Sequence, residues 1–396
     1  MKTKLPEGWK EVELGNQEYF TILSSGINEF EGEKDYLSTE SIQGTKIEKI
    51  ECVITYADRP SRANMQPVLN SVWFAKMQAT LKVYSFDEEN KKEIKKYILS
   101  TGFAGIKVNE KLVSPKYLRL MLISNDFNEL KDKLSTGSTQ RGINNHAIET
   151  ISLIIPPLPI QQKIVSCLEK AEKAKELRKE ADEQTKNLLK SVFMNMFLDK
   201  KKFEKVKIGK IARLTMGGTP STSIKEYWEN GTINWMKSGD IKGDFIYSVP
   251  NRITKLGLDN SNTEIYPINT VVIALNGQGK TRGTTAILKL NTTSNQSVAG
   301  ILLEKNKALP EYVHYNLKLR YQELRNLTGD NERSGLNLTI LRNLDIHLPP
   351  LPLQQKFASI VKEVEAMKEQ QKHSKEHLDN LFNVLMQKAF KGELTI

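Results

Sequence analysis

The chain has 396 residues with 39% hydrophobic content, which is enough for two or three folded domains with apolar cores. Its formal net charge of +11 favours a polyanionic partner such as nucleic acid, and most of this charge lies outside the two long helices predicted below. With only Cys52 and Cys167, the sequence excludes a disulfide framework and a four-cysteine zinc site, which is typical of the reducing cytoplasm. We expect neither a secretory signal nor a membrane span, because no run of 18 apolar residues occurs.

Residues 1–155 are predicted to form a strand-rich domain. Runs of β-branched and aromatic residues at 71–75 and 80–84 predict strands, and the cluster 136–138 predicts a turn. A short helix is expected near residues 115–130. The charge run at 87–96 contains Glu89 and Lys91, a nuclease-like pair, but it is more typical of a solvated loop or an exposed helix.

Residues 156–199 predict the first long helix. The segment begins with a Pro-rich stretch, which suits an extended approach and a first helical turn. Apolar residues then recur with a mean step of about 3.6, and about 39 residues give a rod of roughly 58 Å. The narrow apolar stripe favours a two-helix seam; the alternative is a helix packed on its own domain. The PxxP spacing could also indicate an SH3 ligand, but a structural role is favoured.

Residues 200–348 predict a second strand-rich domain. Strands are expected at 270–274 and 286–288, a short helix near 310–327, and turns at 217–220 and 276–277. Residues 274–281, Ala-Leu-Asn-Gly-Gln-Gly-Lys-Thr, fit a relaxed phosphate-loop pattern. Because a turn and a strand follow instead of a helix, we interpret the segment as a Gly-rich hairpin.

Residues 349–396 predict the second long helix, and its start shows that the chain repeats itself. Residues 156–164, Pro-Pro-Leu-Pro-Ile-Gln-Gln-Lys-Ile, recur at 349–357 as Pro-Pro-Leu-Pro-Leu-Gln-Gln-Lys-Phe. Gly-Ile-Asn at 142–144 likewise matches Gly-Leu-Asn at 335–337. His373 and His377 are four apart on this helix, but no further ligand set accompanies them, so a metal site is not predicted. The chain is thus two copies of one α+β unit, each ending in a long helix.

Several segments resemble the target-recognition domains of type I restriction–modification specificity subunits. They are Gly-Gly-Thr-Pro-Ser-Thr at 217–222, Glu-Tyr-Trp at 226–228, Ile-Asn-Trp-Met-Lys-Ser-Gly-Asp-Ile at 233–241 and Asn-Gln-Ser-Val-Ala-Gly at 295–300. The Pro-Pro-Leu-Pro-x-Gln-Gln-Lys element of both helices resembles the repeated conserved regions of that family. The first domain lacks the Gly-Gly-Thr-Pro turn and has residues 36–42 where the second has 235–241, which suggests that the two domains recognise different sequences.

The resemblance implies an α+β fold in which two mixed α/β target-recognition domains are joined by two long antiparallel coiled-coil helices, with pseudo-two-fold repetition. It also implies a non-catalytic subunit that binds a split, asymmetric site on double-stranded DNA. Its expected partners are two methyltransferase subunits, which use S-adenosylmethionine to methylate adenine N6, and motor–nuclease restriction subunits, which use ATP and Mg²⁺. No cofactor or metal is expected in this chain. The alternatives are a self-contained NTPase using Lys280, a nuclease using Glu89, and a scaffold that binds RNA or protein.

Candidate residues follow from side-chain type and position. Lys and Arg suit phosphate or guanine, and Asn and Gln suit adenine. The candidate DNA contacts are Arg59, Arg62, Lys76, Gln140, Arg141, Thr219, Ser221, Lys237, Asn276, Gln278, Lys280, Arg282 and Arg333. The candidate helix-seam and partner positions are Leu168, Leu177, Leu188, Val192, Val364, Leu378, Leu381 and Leu385.

Overall fold

The computed structural model describes residues 5–138, 140–197, 202–277, 279–327 and 335–394. The chain divides into two compact units. Unit 1 comprises Met1–Arg178 and Ser374–Ile396, and unit 2 comprises Lys179–His373. Among the described residues, no helix is both long enough and apolar enough to cross a membrane.

The first half of the chain alternates short strands and helices before one long helix. Its strands are β1 Lys10–Glu13, β2 Phe20–Leu23, β3 Lys34–Leu37, β4 Ile42–Gln43, β5 Lys46–Ile47, β6 Cys52–Ile54, β7 Ala63–Met65, β8 Ser71–Ala75, β9 Val83–Phe86, β10 Tyr97–Ser100, β11 Phe103–Val108 and β12 Ser152–Ile155. Its helices are α1 Pro115–Leu122, α2 Asn125–Leu134, α3 Asn145–Glu149 and α4 Leu158–Phe197.

The second half follows a similar order. Its strands are β13 Glu204–Lys207, β14 Ala212–Met216, β15 Ile233–Met236, β16 Phe245–Ile246, β17 Asn251–Ile253, β18 Val271–Ala274, β19 Thr285–Leu288, β20 Thr293–Ser294, β21 Val298–Leu303 and β22 Asp345–Leu348. Its helices are α5 Lys255–Asp259, α6 Pro310–Leu319, α7 Tyr321–Asn326, α8 Leu338–Asn343 and α9 Leu351–Lys391. The predicted segment boundaries at 155 and 348 coincide with the ends of β12 and β22.

The sheet topology repeats along with the sequence. The central sheet has the strand order β2-β11-β8-β9 in unit 1 and β14-β21-β18-β19-β16 in unit 2. A second sheet has the order β6-β3-β10-β7 in unit 1 and β17-β15-β20 in unit 2, and β3 pairs with β10 in parallel just as β15 pairs with β20. The first and last strands before each long helix also pair, β1 with β12 and β13 with β22. The predicted correspondence of residues 36–42 with 235–241 therefore holds, since β3 and β15 occupy equivalent positions.

The central strands β8 and β18 are buried on both faces. In β8, Val72 and Phe74 face the core that contains the helices, while Trp73 and Ala75 face the core beneath the second sheet. The same alternation occurs in β18. A strand that is buried on both faces has a continuous run of apolar residues. This is why the sequence predicted β8 and β18 over their full lengths.

Elsewhere the predicted boundaries shift for local reasons. The strand predicted at 80–84 begins at Val83 because residues 78–80 form a turn around Ala79, whose φ is +55°. The single helix predicted near 115–130 is two helices. The chain breaks at Ser124, whose hydroxyl accepts a hydrogen bond from the Phe127 amide (3.2 Å) and caps α2.

Both long helices form as predicted, and each contributes to both units. Within unit 2 they pack antiparallel, since Thr185 of α4 contacts Gln371 of α9 (Nε2 to Oγ1, 2.9 Å) and Phe193 contacts Phe357 (ring centroids 5.3 Å apart). In unit 1, Lys175 of α4 pairs with Asp379 of α9 at 2.8 Å.

The predicted seam residues are only partly correct. Leu168 and Val364 are buried, and Val192, Leu378 and Leu385 are half-buried. As seam positions, three are contradicted because they are exposed, namely Leu177 (54%), Leu188 (38%) and Leu381 (50%); as partner contacts they stay predictions. Beside other half-buried positions such as 172, 174 and 181, one series of buried and half-buried positions in α4 runs through 164, 168, 171, 175, 178, 182, 185 and 189. The steps between these positions alternate between four and three, which gives the 3.5-residue period of a coiled coil. Some of these positions hold charged residues, which a prediction based on apolar residues leaves out.

A buried glutamine explains the repeated Pro-Pro-Leu-Pro-x-Gln motif. The Gln161 side chain is fully buried; it accepts a hydrogen bond from the Ser114 amide (2.8 Å) and donates to the carbonyls of Leu112 (2.8 Å) and Pro156 (2.7 Å). Gln354 makes the equivalent three bonds in unit 2. The repeated motif thus ties the start of each long helix to the segment preceding α1 or α6.

Candidate nucleic-acid interface

Unit 1 gathers several predicted DNA contacts around the loop that follows its central strand, residues 76–82. Lys76 opens this loop. Its amide donates to the Gly102 carbonyl (2.9 Å) in the β10–β11 turn, and its carbonyl accepts from the Ile143 amide (3.0 Å). Three segments that are distant in sequence therefore meet at one end of the central sheet.

Unit 2 has the same arrangement in its own central-strand loop, residues 275–284. The Leu275 amide donates to the Ser297 carbonyl (2.8 Å), and the Leu275 carbonyl accepts from the Leu336 amide (3.0 Å). Leu275 thus takes the place of Lys76. The two central-strand loops occupy equivalent positions in their units but carry unlike side chains.

Backbone hydrogen bonds bring further unit 1 candidates to this place. The Thr101 amide donates to the Arg62 carbonyl (2.8 Å), and the Gln78 amide donates to the Arg141 carbonyl (3.0 Å). The side chains of Arg62 and Arg141 are exposed, and Lys76 is half-buried. Burial, and then the positive charge of Arg62, lower the pKa of Lys76. The site is therefore a basic cluster that favours an anionic ligand.

Two other unit 1 candidates lie beside this cluster in the chain. Gln140 precedes Arg141 and is exposed. Arg59 lies in the same β6–β7 connection as Arg62, but its guanidinium stacks 4.1 Å from the Tyr56 ring centroid and donates to the Tyr56 carbonyl. Arg59 therefore packs against Tyr56 within its own loop.

The unit 2 loop is the hairpin that the sequence predicted, because β18 and β19 pair antiparallel around it. Asn276 and Lys280 are exposed on it. Arg282 is buried, with 8% of its surface exposed, so it offers little surface to DNA and the predicted contact conflicts with this burial. Gln278 and Arg333 lie outside the described residues.

The Gly-Gly-Thr-Pro turn packs against the β20–β21 turn. A side chain at Gly217 would collide with the Ser294 carbonyl, so the close approach requires glycine. The Trp235 indole donates to the carbonyl of the next glycine (3.0 Å). Thr219 then donates from its hydroxyl to Oε1 of Gln296 at 2.6 Å. The two turns hold Gln296, which is exposed, in a defined orientation.

A cleft of about 540 Å³ opens beside this turn. Trp228 and Trp235 meet edge to face at 4.9 Å, the Trp228 indole donates to the Ser221 carbonyl (3.1 Å), and the Lys237 ammonium lies 5.6 Å from the Trp235 ring centroid. The remaining lining residues are polar or charged: Thr219, Thr222, Lys225, Glu229, Asn251 and Asn295. The structure therefore brings the candidates Thr219, Ser221 and Lys237 together around indole rings and amides.

Sequence reasoning missed several polar residues of this surface, among them Lys225, Asn295 and Gln296. Asn295 and Gln296 stand in the Asn-Gln-Ser-Val-Ala-Gly segment that carried the family resemblance, so a signal for them existed. Lys225 directly precedes the Glu-Tyr-Trp segment at 226–228, which also resembles that family, so its neighbourhood was marked although the residue itself was not chosen.

The sequence also gave no sign of a buried polar network in unit 2. Asp244 accepts hydrogen bonds from His314 (3.0 Å), the Tyr315 hydroxyl (2.8 Å) and the Lys318 ammonium. Burial would raise the pKa of Asp244, but His314 and Lys318 outweigh it and hold that pKa well below its usual range. Burial lowers the pKa of His314. The two ring nitrogens of His314 are both engaged, Nε2 with Oδ1 of Asp244 and Nδ1 with the Thr285 hydroxyl, each at 3.0 Å.

The residues considered for nucleotide, nuclease and metal chemistry have the following surroundings in the described part of the chain. The 275–284 loop leads into strand β19, with no helix N-terminus behind it for phosphate. Glu89 is paired with Lys116 at 2.6 Å on the surface, and Lys91 with Glu88 at 2.8 Å. Among the described residues, no three His, Cys, Asp or Glu side chains lie close enough to hold a metal ion.

Comparison with known proteins identifies one family. The family model described as the type I restriction modification DNA specificity domain matches residues 6–187 and again residues 200–380. The MjaIX specificity subunit of Methanocaldococcus jannaschii is 28% identical over 180 residues, which cover 44% of this chain and 40% of that protein. The EcoR124I/EcoR124II specificity subunit of Escherichia coli is 25% identical over 248 residues, which cover 59% of this chain and 60% of that protein. The matches thus span less than two thirds of both relatives.

Solved structures share the fold over the full length. A chain from a type I R-M system, reported in work on complex assembly and conformational transition, has a TM-score of 0.71 and 21% identity, with 99% of this chain and 100% of that chain covered. The HsdS subunit from Thermoanaerobacter tengcongensis has a TM-score of 0.56 and 20% identity, with 99% of both chains covered. At these identities the likeness shows the fold alone.

Proposed function

The chain belongs to the type I restriction–modification DNA specificity family, and on this premise we propose that it binds a split, asymmetric site on double-stranded DNA through one surface in each unit. In unit 1 the surface is the basic cluster of Arg62, Lys76 and Arg141. In unit 2 it is formed by the central-strand loop, the Gly-Gly-Thr-Pro turn and Gln296. Each surface would recognise one half-site.

One observation carries this proposal: the two central-strand loops occupy equivalent positions yet carry different chemistry. Arginine and lysine favour guanine O6 and N7 or phosphates, whereas asparagine and glutamine favour adenine N6 and N7. Unit 1 presents mainly the first kind of side chain, in Arg62, Lys76 and Arg141, whereas unit 2 presents the second kind, in Asn276 and Gln296, beside Lys280. Equivalent frames with unlike contacts support two half-sites of different sequence.

The chain would be the non-catalytic subunit of a larger complex in the cytoplasm. We propose that two adenine-N6 methyltransferase subunits bind it and supply S-adenosylmethionine chemistry, and that motor–nuclease subunits use ATP and Mg²⁺. A methyltransferase must take its adenine out of the stack, so this chain would hold the duplex while the partner extrudes the base. We assign no cofactor or metal to this chain.

Sequencing of methylated adenines in cells tests the proposal directly. Cells that contain the partner methyltransferase are compared with and without this chain. We expect adenine methylation in one split motif only when the chain is present. Methylation that is absent, or scattered without a shared motif, in cells that contain both proteins would contradict the proposed function.

A further inference from the structure

A buried lysine holds the central-strand loop of unit 1 from behind. Lys131 of α2 is 1% exposed, although lysine is almost never fully buried without partners. Its ammonium donates to the carbonyls of Met77 (3.2 Å) and Thr80 (2.6 Å), at either end of the turn within the loop. An ammonium bonded to two carbonyls fixes the spacing between them.

The next residue of α2 holds the middle of the same turn. Ala79 has φ of +55°, a left-handed conformation that is unfavourable for a residue with a Cβ. The Asp132 carboxylate accepts from the Ala79 amide at 3.0 and 3.1 Å, and so favours this strained conformation. Lys131 and Asp132 together bind the backbone of three loop residues and no loop side chain.

Unit 2 holds its loop at the same place with different residues. From α7, the Tyr321 hydroxyl donates to the Lys280 carbonyl (2.8 Å), and the Arg325 guanidinium donates to the Arg282 carbonyl (3.2 Å). Arg325 also donates to the Tyr321 hydroxyl (3.2 Å), which joins the two contacts. In both units, therefore, the second helix after the central sheet anchors the central-strand loop through backbone carbonyls of that loop. The anchoring side chains are different residue types in the two units.

We propose that Lys131 with Asp132, and Tyr321 with Arg325, are positioning residues that set the specificity of the half-site read by their own unit. The proposal rests on the proposed function. A hydrogen bond to a base edge discriminates only when its donor and acceptor are held within a few tenths of an ångström. These anchors leave the loop side chains free to vary while they fix the backbone that presents them. They therefore act on sequence recognition without touching DNA.

Tyr321→Phe and Asp132→Ala are the decisive variants. Tyr321→Phe removes one hydroxyl and keeps the ring. Asp132→Ala changes a half-buried side chain and also removes the carboxylate that lies 3.8 Å from the buried Lys131 ammonium. Lys131→Met is a stronger version, and Lys131→Arg, which keeps the donors, tests rescue. Exposed neighbours on the same helices supply matched controls, Lys133→Ala in α2 and Gln322→Ala in α7.

The full chain is assayed with its partner methyltransferase, and methylation rates are compared at the cognate motif and at every single-base variant of it. We expect Tyr321→Phe to relax one half-site by about tenfold and Asp132→Ala to relax the other, because one good base contact discriminates by roughly 5- to 150-fold. The controls should keep the wild-type motif, and Lys131→Arg should restore part of the specificity lost in Lys131→Met.

Three results would overturn the inference. The first is an unchanged motif in both Tyr321→Phe and Asp132→Ala. The second is a uniform fall in methylation without a change in base preference, which is the effect of a merely structural role. The third is equal relaxation of both half-sites by either variant. If instead the wild-type chain directs no split motif at all, the proposed function fails and not this inference alone.

Discussion

Gln161 and Gln354 show how a duplicated residue supports a duplicated fold. Each occupies the same place in the repeated motif and bonds to one backbone amide and two backbone carbonyls. A buried backbone group left unpaired costs about 1–3 kcal/mol, so one side chain with three such bonds strongly favours this approach to the helix.

We expect Gln161→Met, which keeps the side-chain length and removes the polar atoms, to lower the free energy of unfolding by about 3 kcal/mol. The exposed neighbour gives a matched control, Gln162→Met, which should change it by less than about 0.5 kcal/mol. Urea denaturation followed by circular dichroism measures both. Equal midpoints for the two variants would show that the buried hydrogen bonds do not stabilise the fold.

Asp244 makes a second prediction at this scale, because it carries a buried charge with three donors. The folded protein lowers its pKa, so the ionised carboxylate contributes stability above the unfolded pKa of about 3.9, and this contribution disappears as the pH falls below that value. Asp244→Asn should therefore be less stable than wild type by about 3 kcal/mol at pH 7. The difference should shrink as the pH falls from 5 toward 2. Denaturation at several pH values measures it, and a difference that is constant with pH would contradict the assignment.

At the scale of elements, the long helices show that a periodic pattern of apolar residues is not enough to identify the packed face of a helix. The stripe predicted from apolar residues includes Leu188, but the packing buries the next residue, Leu189, at 2% exposure, along with Phe193. The centre of the seam is polar, with Thr185 bonded to Gln371. The apolar residues in the middle of α4 therefore do not predict which face of this helix packs against α9.

The adjacent leucines allow a sharp test of this register. Leu189→Ala should lower the free energy of unfolding by about 2–5 kcal/mol, because it opens a cavity in the unit 2 core. Leu188→Ala should change it by less than about 0.5 kcal/mol, since that side chain is partly in solvent and alanine is the better helix former. Urea denaturation of both variants decides between the two registers; a larger loss for Leu188→Ala would support the sequence-based one.

At the scale of the whole molecule, the repeat is conservative in its frame and divergent in its loops. The strand order, the glutamine brace and the asparagine caps of α3 and α8 recur in both halves. The central-strand loops and their anchors do not. Changes in the loops could therefore alter DNA recognition while the strand order, the buried glutamines and the helix caps stay the same.

Replacement of residues 200–348 by the corresponding segment of another family member should change one half-site and leave the other intact. The exchange crosses the unit 2 core, where Tyr312 packs against Phe193 and Phe197 at 5.6 and 4.9 Å, so the incoming segment must carry an aromatic residue at the Tyr312 position. Sequencing of methylated adenines gives the outcome. A change in both half-sites, or in neither, would contradict independent recognition by the two units.

The sequence alone predicted the duplication, both long helices, the strands at 71–75 and 270–274 and the Gly-rich hairpin that begins at residue 274. These features depend on local periodicity or on comparison of the chain with itself, and both are readable without a fold.

Only the tertiary structure decided the rest. It placed Arg62, Lys76 and Arg141 together, buried Arg282, selected the helix seam and revealed the anchors at Lys131 and Tyr321. Each of these depends on distances between residues that are tens of positions apart, and on which polar groups remain unpaired once the cores have closed. The local pattern along a chain determines its elements, but the burial and partners of a charged side chain depend on the elements that pack around it.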